Sequence, residues 1–430
     1  MATLKAVRGT RDLLPPETAL WNRIEATARA VFARYNFGEI RTPVFEDTSL
    51  FSRSVGEETD IVSKEMYTWE DRARAQSEKS QLLTLRPENT AGVVRAYIEH
   101  KLGESGQLQK LYYIGPQFRR ERPQKGRYRQ FSQIGAEVIG PPSAGSESPI
   151  RDAEVLEMLA TLLDELGITG WTLELNSVGS AADRARYNET LRQALIPVAQ
   201  QMCEDCQRRA VTNPLRVLDC KVPEDQPIID KLPKIADSLD ENSKAHFAAV
   251  TAALDAAGVP YTRNHRLVRG LDYYTRTTFE FTHGGLGAQN ALLGGGRYDG
   301  LSEAIGGPKA PGIGFAMGED RLVLTLQSLQ SAPTQVADAY IAPLGESVNP
   351  AALALARELR RGGLTVELGD GSFRLKKSFD AADKTARRIV IMGEDEVASG
   401  ILTVKDFSTG IQTKVPRAEL AGVLKAPSDQ

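Results

Sequence analysis

Cysteine is scarce in this chain of 430 residues, which has three, at positions 203, 206 and 220. So few cannot build a disulfide framework, which excludes a stapled secreted scaffold. Long apolar runs are absent as well. None could span a bilayer, and Met1–Gly9 lacks the apolar centre of a signal peptide. Together these absences predict a cytosolic protein with no membrane contact. The net charge is only −3, so any polyanion must be met by local patches. There is no Gly-Lys-Ser/Thr, and the glycine-rich stretches do not fit G-x-G-x-x-G, which disfavours the usual nucleotide folds. Apolar content of 41% and charged content of 25% suit a globular protein. The length predicts two or three domains.

Against that even background, Gln117–Glu137 is lopsided. Between Arg119 and Arg129, six basic residues (Arg119, Arg120, Arg122, Lys125, Arg127 and Arg129) stand against one acid, Glu121. Strand-like runs flank them, Leu111–Phe118 and Phe131–Ile139, with Pro123 and Gly126 between, so the stretch reads as a long basic hairpin. Arginine dominates, and its planar fork grips phosphate at two points where lysine offers one charge. Phosphate recognition and a merely solvated basic loop are the two readings. Alternation puts Phe131, Gln133, Gly135 and Glu137 on one face of the second arm, a set suited to a polar pocket, and Ser132, Ile134, Ala136 and Val138 on the other.

Upstream, Leu20, Ile24, Thr27, Val31 and Tyr35 recur at helical spacing, with Gly38 as the expected C-cap. A strand, Glu39–Phe45, follows; Pro43 cannot donate to a ladder, which implies a sheet edge or an interface. Leu82–Arg86 reads as a strand stopped by Pro87, with a helix from Asn89 or Thr90. Glu88 then either faces a pocket or serves the helix dipole.

Downstream come a Pro/Gly/Ser linker (141–149), a helix (Ala153–Leu166) and a strand (Trp171–Leu175). From about Gly179 to Gly258 the text is helical with no strand signal, an inserted subdomain. Its Cys203-Glu-Asp-Cys206 and Cys220 suggest either a zinc knuckle or plain thiols; a closed zinc site wants four ligands and no fourth cysteine follows, so no protein metal ligand is assigned. Leu267–Phe281 is strand-rich and carries Arg269, Gly270, Tyr273 and Tyr274. A triple glycine, Gly294–Gly296, precedes a short helix. Gly312–Leu326 reads as a glycine-rich strand feeding a helix with Arg321 in its first turn, where a cation opposes the dipole unless an anion binds. Beyond residue 334 a βαβαβ pattern emerges (337–343, 350–361, 364–368, 372–384, 388–392), with thirteen basic and thirteen acidic residues.

Taken together, these segments resemble the class II aminoacyl-tRNA synthetases, and specifically the histidine-specific family, over nearly the whole chain. The first helix with the Pro43 strand is similar to class motif 1, Phe118-Arg-Arg-Glu through Glu137 to motif 2, and Gly312–Leu326 to motif 3. Leu267-Val-Arg-Gly-Leu-Asp-Tyr-Tyr and Gly294-Gly-Gly-Arg-Tyr-Asp-Gly resemble the histidine signatures. The resemblance implies an α+β catalytic domain on a mainly antiparallel sheet (1–330, insertion about 179–258) and a C-terminal α/β anticodon-binding domain (334–430).

The implied activity is ATP-dependent attachment of L-histidine to tRNA(His) through a histidyl-adenylate, with Mg²⁺ accompanying ATP and a homodimer built on motif 1. By the same resemblance, Arg119, Glu121 and Arg321 bind ATP, and Arg269 and Arg119 are catalytic. Glu88, Thr90, Gln133, Glu137, Tyr273 and Tyr274 bind histidine, and Gln124, Arg127 and Arg129 meet the tRNA acceptor end. Asn89 departs from the family's usual glycine between the glutamate and threonine of L-R-P-E-x-T. The rival reading is the synthetase-like regulatory subunit of an ATP phosphoribosyltransferase, which typically lacks the last domain and has eroded signatures.

Overall fold

The computed structural model describes residues 3–56, 59, 61–71, 80–123, 126–268, 273–286, 290–329 and 336–426. The chain divides into two compact units, Met1–Ala332 and Pro333–Gln430.

In the first unit, α1 (Thr18–Arg34) leads to β1 (Gly38–Glu39), β2 (Phe45–Asp47), α2 (Thr48–Val55), β3 (Tyr67–Asp71), β4 (Gln81–Leu85) and α3 (Thr90–Glu99). The hairpin β5 (Gln109–Phe118) and β6 (Gln130–Ile139) precedes α4 (Pro149–Leu166) and β7 (Trp171–Ser177). Next come α5 (Ala181–Leu195), α6 (Glu204–Thr212), α7 (Gln226–Ile229) and α8 (Glu241–Ala257). The unit ends with β8 (Thr262–Arg263), β9 (Thr275–His283), β10 (Ala291–Arg297), α9 (Leu301–Ala304), β11 (Gly312–Gly318) and α10 (Glu319–Leu329).

Eight strands form the main sheet in the order β1-β5-β6-β11-β10-β9-β7-β8. Its inner pairings are antiparallel, and only the short edge strands β1 and β8 pair in parallel. One face packs on α1, α4, α8 and α10, and Ile134, Ala136 and Val138 of β6 point into that core with Phe279, Phe281, Ile313 and Phe315. The period-2 alternation expected for β6 therefore holds.

Three local expectations give way. Helix α1 ends at Tyr35, and Asn36 takes the left-handed turn (φ 61°), so Gly38 is free to begin β1 instead of capping. The expected strand 39–45 is split: β1 joins the main sheet, whereas β2 joins a separate three-stranded sheet, β2-β4-β3, leaving Pro43 between them where no ladder donor is needed. The inserted subdomain closes earlier than 258. Its own core runs from Val178 to Leu239 with Val268, while α8 sends Val250 and Leu254 into the main core.

The second unit runs β12 (Ala339–Pro343), α11 (Asn349–Arg361), β13 (Val366–Leu368), α12 (Leu375–Thr385), β14 (Arg388–Met392), α13 (Glu394–Ser399), β15 (Ile401–Asp406), β16 (Gln412–Pro416) and α14 (Arg417–Lys425). Strand order is β13-β12-β14-β15-β16. The first three strands are parallel, as the βαβαβ pattern requires, and the hairpin β15–β16 adds two antiparallel strands that the pattern did not include.

Candidate active site

The main sheet's other face holds a cavity of about 350 Å³. It exists because that face is paved with small residues: one rung runs Gly135, Ala316, Gly294 and Glu280, and the next runs Glu137, Gly314, Gly296 and Thr278. A side chain at Gly314 would collide with the Glu137 carboxylate, and one at Gly135 with the Tyr113 ring. Large polar side chains therefore lie across the sheet where ordinary strand residues would stand. Gln133 and Glu137 sit four residues apart on β6, roughly 13 Å at strand rise.

Eight of the expected residues line this cavity: Glu88, Thr90, Arg119, Glu121, Gln133, Tyr273, Tyr274 and Arg321. Arg127 joins them, and its guanidinium lies 3.3 Å from Glu121, so it turns inward instead of marking the loop's tip. Glu121 also stands 3.8 Å from Arg119. The Arg119 Nε donates to the Pro87 carbonyl at 2.9 Å, and its guanidinium lies 5.3 Å from the centre of Phe131's ring. Arg321 donates to the Ala291 carbonyl at 2.7 Å.

Glu88 occupies both of its anticipated positions at once. It lines the cavity, and its carboxylate accepts from the Thr90 and Ala91 N–H groups at 2.8 and 3.0 Å, supplying the first turn of α3. It can do so because Asn89, at the N-cap position, makes no side-chain cap and instead accepts from Thr42 Oγ1.

Glu137 lies beneath the cavity, fully buried and not among its lining residues. Thr90 Oγ1 and Tyr298 Oη each donate to it at 2.7 Å. Burial, with the nearby Glu88 adding to it, pushes the Glu137 carboxyl up to about 8. Burial also raises Glu88, and it holds Tyr113, Tyr273 and Tyr298 firmly in their protonated, donor form. Gln133 Oε1 is buried without a hydrogen-bond partner, so the cavity presents an unused acceptor.

Arg129 does not reach the cavity. Its N–H donates to the Gly9 carbonyl at 2.7 Å and its guanidinium to that of Arg8 at 3.3 Å. The segment 8–11 thus straps the basic loop. Gly9 is left-handed (φ 89°) and has Arg129 and Pro123 packed where a side chain would be, so only glycine fits. Two residues on, Arg11 pairs with Asp320 of α10 at 2.8 Å and lies over Tyr128. Gln124 and Arg269 fall outside the described residues.

Arg11, Tyr113, Tyr298 and Glu280 belong to the site but escape the sequence reading. Glu280 had a usable signal, since alternation in β9 puts Thr278, Glu280 and Thr282 on one face. Arg11 and Tyr113 had none, because their partners are far away in the chain.

A family profile described as Histidyl-tRNA synthetase matches residues 9–322, and one described as Anticodon binding domain matches residues 338–426. The chain is 74% identical over 419 residues to a histidine–tRNA ligase of Koribacter versatilis (strain Ellin345), covering 97% of this chain and 95% of that protein. It is 56% identical to the histidine–tRNA ligase of Solibacter usitatus (strain Ellin6076), over 99% of this chain and all of that protein. In structure it resembles the apo histidyl-tRNA synthetase of S. aureus with a TM-score of 0.78 at 37% identity, covering 99% of this chain and 100% of that one.

Proposed function

This chain belongs to the histidyl-tRNA synthetase family, and from that premise we propose how its cavity carries out the reaction. The activity is that of a class II ligase: ATP and L-histidine form histidyl-adenylate, histidine passes to tRNA(His), and AMP and diphosphate are released. The regulatory-subunit reading is not favoured, because the ligases it resembles match it through the C-terminal domain.

The observation that carries the site assignment is one cavity joining two opposite environments. Arginines 119, 127 and 321 line it, and the carboxyl groups of Glu88 and Glu137 lie in its wall and beneath it. Histidine's ammonium and imidazole suit Glu88, Thr90, Gln133 and Glu137, with Tyr273 and Tyr274 closing the pocket. The tyrosine rings are 4.7 Å apart at their centres. ATP's phosphates suit Arg119 and Arg321, and Glu121 suits the adenine edge.

The histidine carboxylate attacks the α-phosphorus while diphosphate leaves. Negative charge grows on the phosphoryl oxygens, and cations already held in place, Arg119 by Pro87 and Glu121, lower that barrier without reorganising. By the family resemblance, Arg269 is a further cation for the α-phosphate. No covalent enzyme intermediate is needed, and in the second step the tRNA 3′-hydroxyl attacks the adenylate. The basic loop around 124–129 meets the acceptor end, with Gln124 and Arg129 as its contacts.

Protein sites take Mg²⁺ through one or two carboxylates plus substrate phosphates, and Glu280, which lines the cavity, would be the carboxylate to hold it there. When bound, the ion supplies charge neutralisation to the phosphates. A homodimer is supported by Phe45 and Trp69, which lie on the three-stranded sheet 5.9 Å apart and are 52% and 39% exposed, an apolar surface for a second copy to cover. The working compartment is the cytoplasm.

Histidine-dependent ATP–diphosphate exchange tests the reading. Exchange is expected with histidine alone among the twenty amino acids; none with any of them would overturn it. Arg269→Lys should reduce adenylation far more than histidine binding, and equal losses would contradict its role.

A further inference from the structure

The inserted subdomain brings its three cysteines together with a residue far from any of them in type. Cys203, Cys206, Cys220 and Asp225 offer one donor atom each, all within 4.8 Å of one another. We propose that these four residues form a closed, tetrahedral Zn²⁺ site that staples the insertion and stands apart from the catalytic cavity.

Geometry carries the proposal. The sulfurs of Cys203 and Cys220 are 3.9 Å apart. That is nearly twice a disulfide bond, yet it matches the edge of a tetrahedron whose Zn–S bonds are about 2.3 Å, which is roughly 3.8 Å. Asp225 Oδ2 lies 3.2 Å from the Cys220 sulfur, where an oxygen ligand on the same ion belongs. The spacing is also favourable: Cys203 is the N-cap of α6 and Cys206 lies in its first turn, so Cys-x-x-Cys turns both sulfurs to one side of a helix N-terminus. That terminus stabilises the thiolates the ion requires.

Burial supplies the second argument. Asp225 is 1% exposed, Cys206 0% and Cys220 5%. Among the described residues no lysine or arginine pairs with Asp225; its carboxylate accepts from the Cys203 N–H and the Cys220 thiol, with the other two thiols close by. A buried carboxylate without a cation is costly, and a divalent ion removes that cost. Three sulfurs and one oxygen select zinc over magnesium or calcium, which take oxygen alone. The surroundings are those of a supported site. Val222 N–H points at the Cys220 sulfur at 3.4 Å, and Gln226, held by Arg266 at 2.6 Å, braces the Cys220 and Val222 carbonyls. The subdomain needs such a staple, because between α5 and α8 it has only short helical turns around a small core. On binding, three thiols release three protons and the carboxylate is already ionised, so the site carries four negative charges against the ion's two.

The test uses the full chain, purified under reducing conditions without chelator. Elemental analysis should find about one zinc per chain, and Co²⁺ exchanged into the site should give the strong thiolate-to-cobalt absorption of a tetrahedral sulfur-rich centre. Asp225→Asn should weaken zinc binding at least about tenfold while the protein stays folded. Asp225→Cys should restore it. Cys220→Ser should lose the zinc altogether. Should Cys220→Ser fail to fold, thiol titration of the native chain decides instead: cysteines 203, 206 and 220 should be unreactive until a competing chelator removes the ion. No zinc or cobalt bound after incubation with one equivalent, with all three thiols reduced, would overturn the proposal. So would a disulfide between any two of them, seen as a mass lower by two hydrogens.

Discussion

Two buried carboxyl groups lie on opposite sides of the main sheet, Asp152 on α4 and Glu137 on β6, and the protein treats them in opposite ways. Asp152, under the α4 face, meets Arg297, which is fully buried and pairs with it at 2.5 Å while also reaching Asp299 at 2.9 Å. Thr277 donates the remaining bond at 2.6 Å. Glu137, on the cavity face, is just as buried but is met by a threonine and a tyrosine and, among the described residues, by no cation. The first group is balanced from within; the second is left in want of a positive charge. Under the proposed function, a substrate's ammonium group would supply that charge and turn an incomplete core into a binding site.

The largest effect should come from breaking the balanced side. Arg297→Met leaves Asp152 buried without its cation, and denaturant unfolding should show a loss of about 3–5 kcal/mol. A loss under about 1 kcal/mol would mean the pair does not carry that charge. On the unbalanced side, Glu137→Gln should fold normally and lose roughly 2–3 kcal/mol of histidine affinity, read by calorimetry, because a charged hydrogen-bond partner becomes neutral. Unchanged affinity would place the ammonium elsewhere.

The same contrast can be sharpened through pH. Glu137's carboxyl is raised from 4.5 to about 8 in the folded chain. Its contribution to stability is therefore fully present below pH 4.5 and is lost as pH rises through 8. Measured against Glu137→Gln without substrate, the native chain should lose stability progressively as pH rises between those limits. Saturating histidine should abolish that loss, since an ammonium beside the group favours its ionised form. A difference independent of pH would show that Glu137 is already ionised in the empty cavity.

What could be read in advance follows the range of the interactions. The β6 alternation was legible because period 2 assigns each face from neighbours alone, and it sent Gln133 to the cavity and Ile134 to the core. The arginines of the basic hairpin stood out equally by type as candidate phosphate ligands, and Arg119 and Arg127 do line the cavity, whereas Arg129 does not. Arg297 gave no such hint. It stood in a glycine-rich signature, yet its partner Asp152 is 145 residues away. Asp225 was overlooked because a fourth sulfur was sought, although a carboxylate can complete the set. The β15–β16 hairpin was missed although Thr409-Gly410 provides a turn signal, because the parallel pattern before it ends so regularly at β14.

The strap at residues 8–11 has a consequence for the order of events at the ribosome. Arg11's partner Asp320 is made 309 residues later. At translation rates of about 5–20 residues per second, roughly fifteen seconds to a minute separate the two. The Gly9–Arg129 contact can form once the basic hairpin exists, but Arg11 must wait for its partner while nearly the whole catalytic unit is synthesised. The last tie of the strap, from Arg11 to α10, therefore closes only after the sheet beneath the basic loop has been completed.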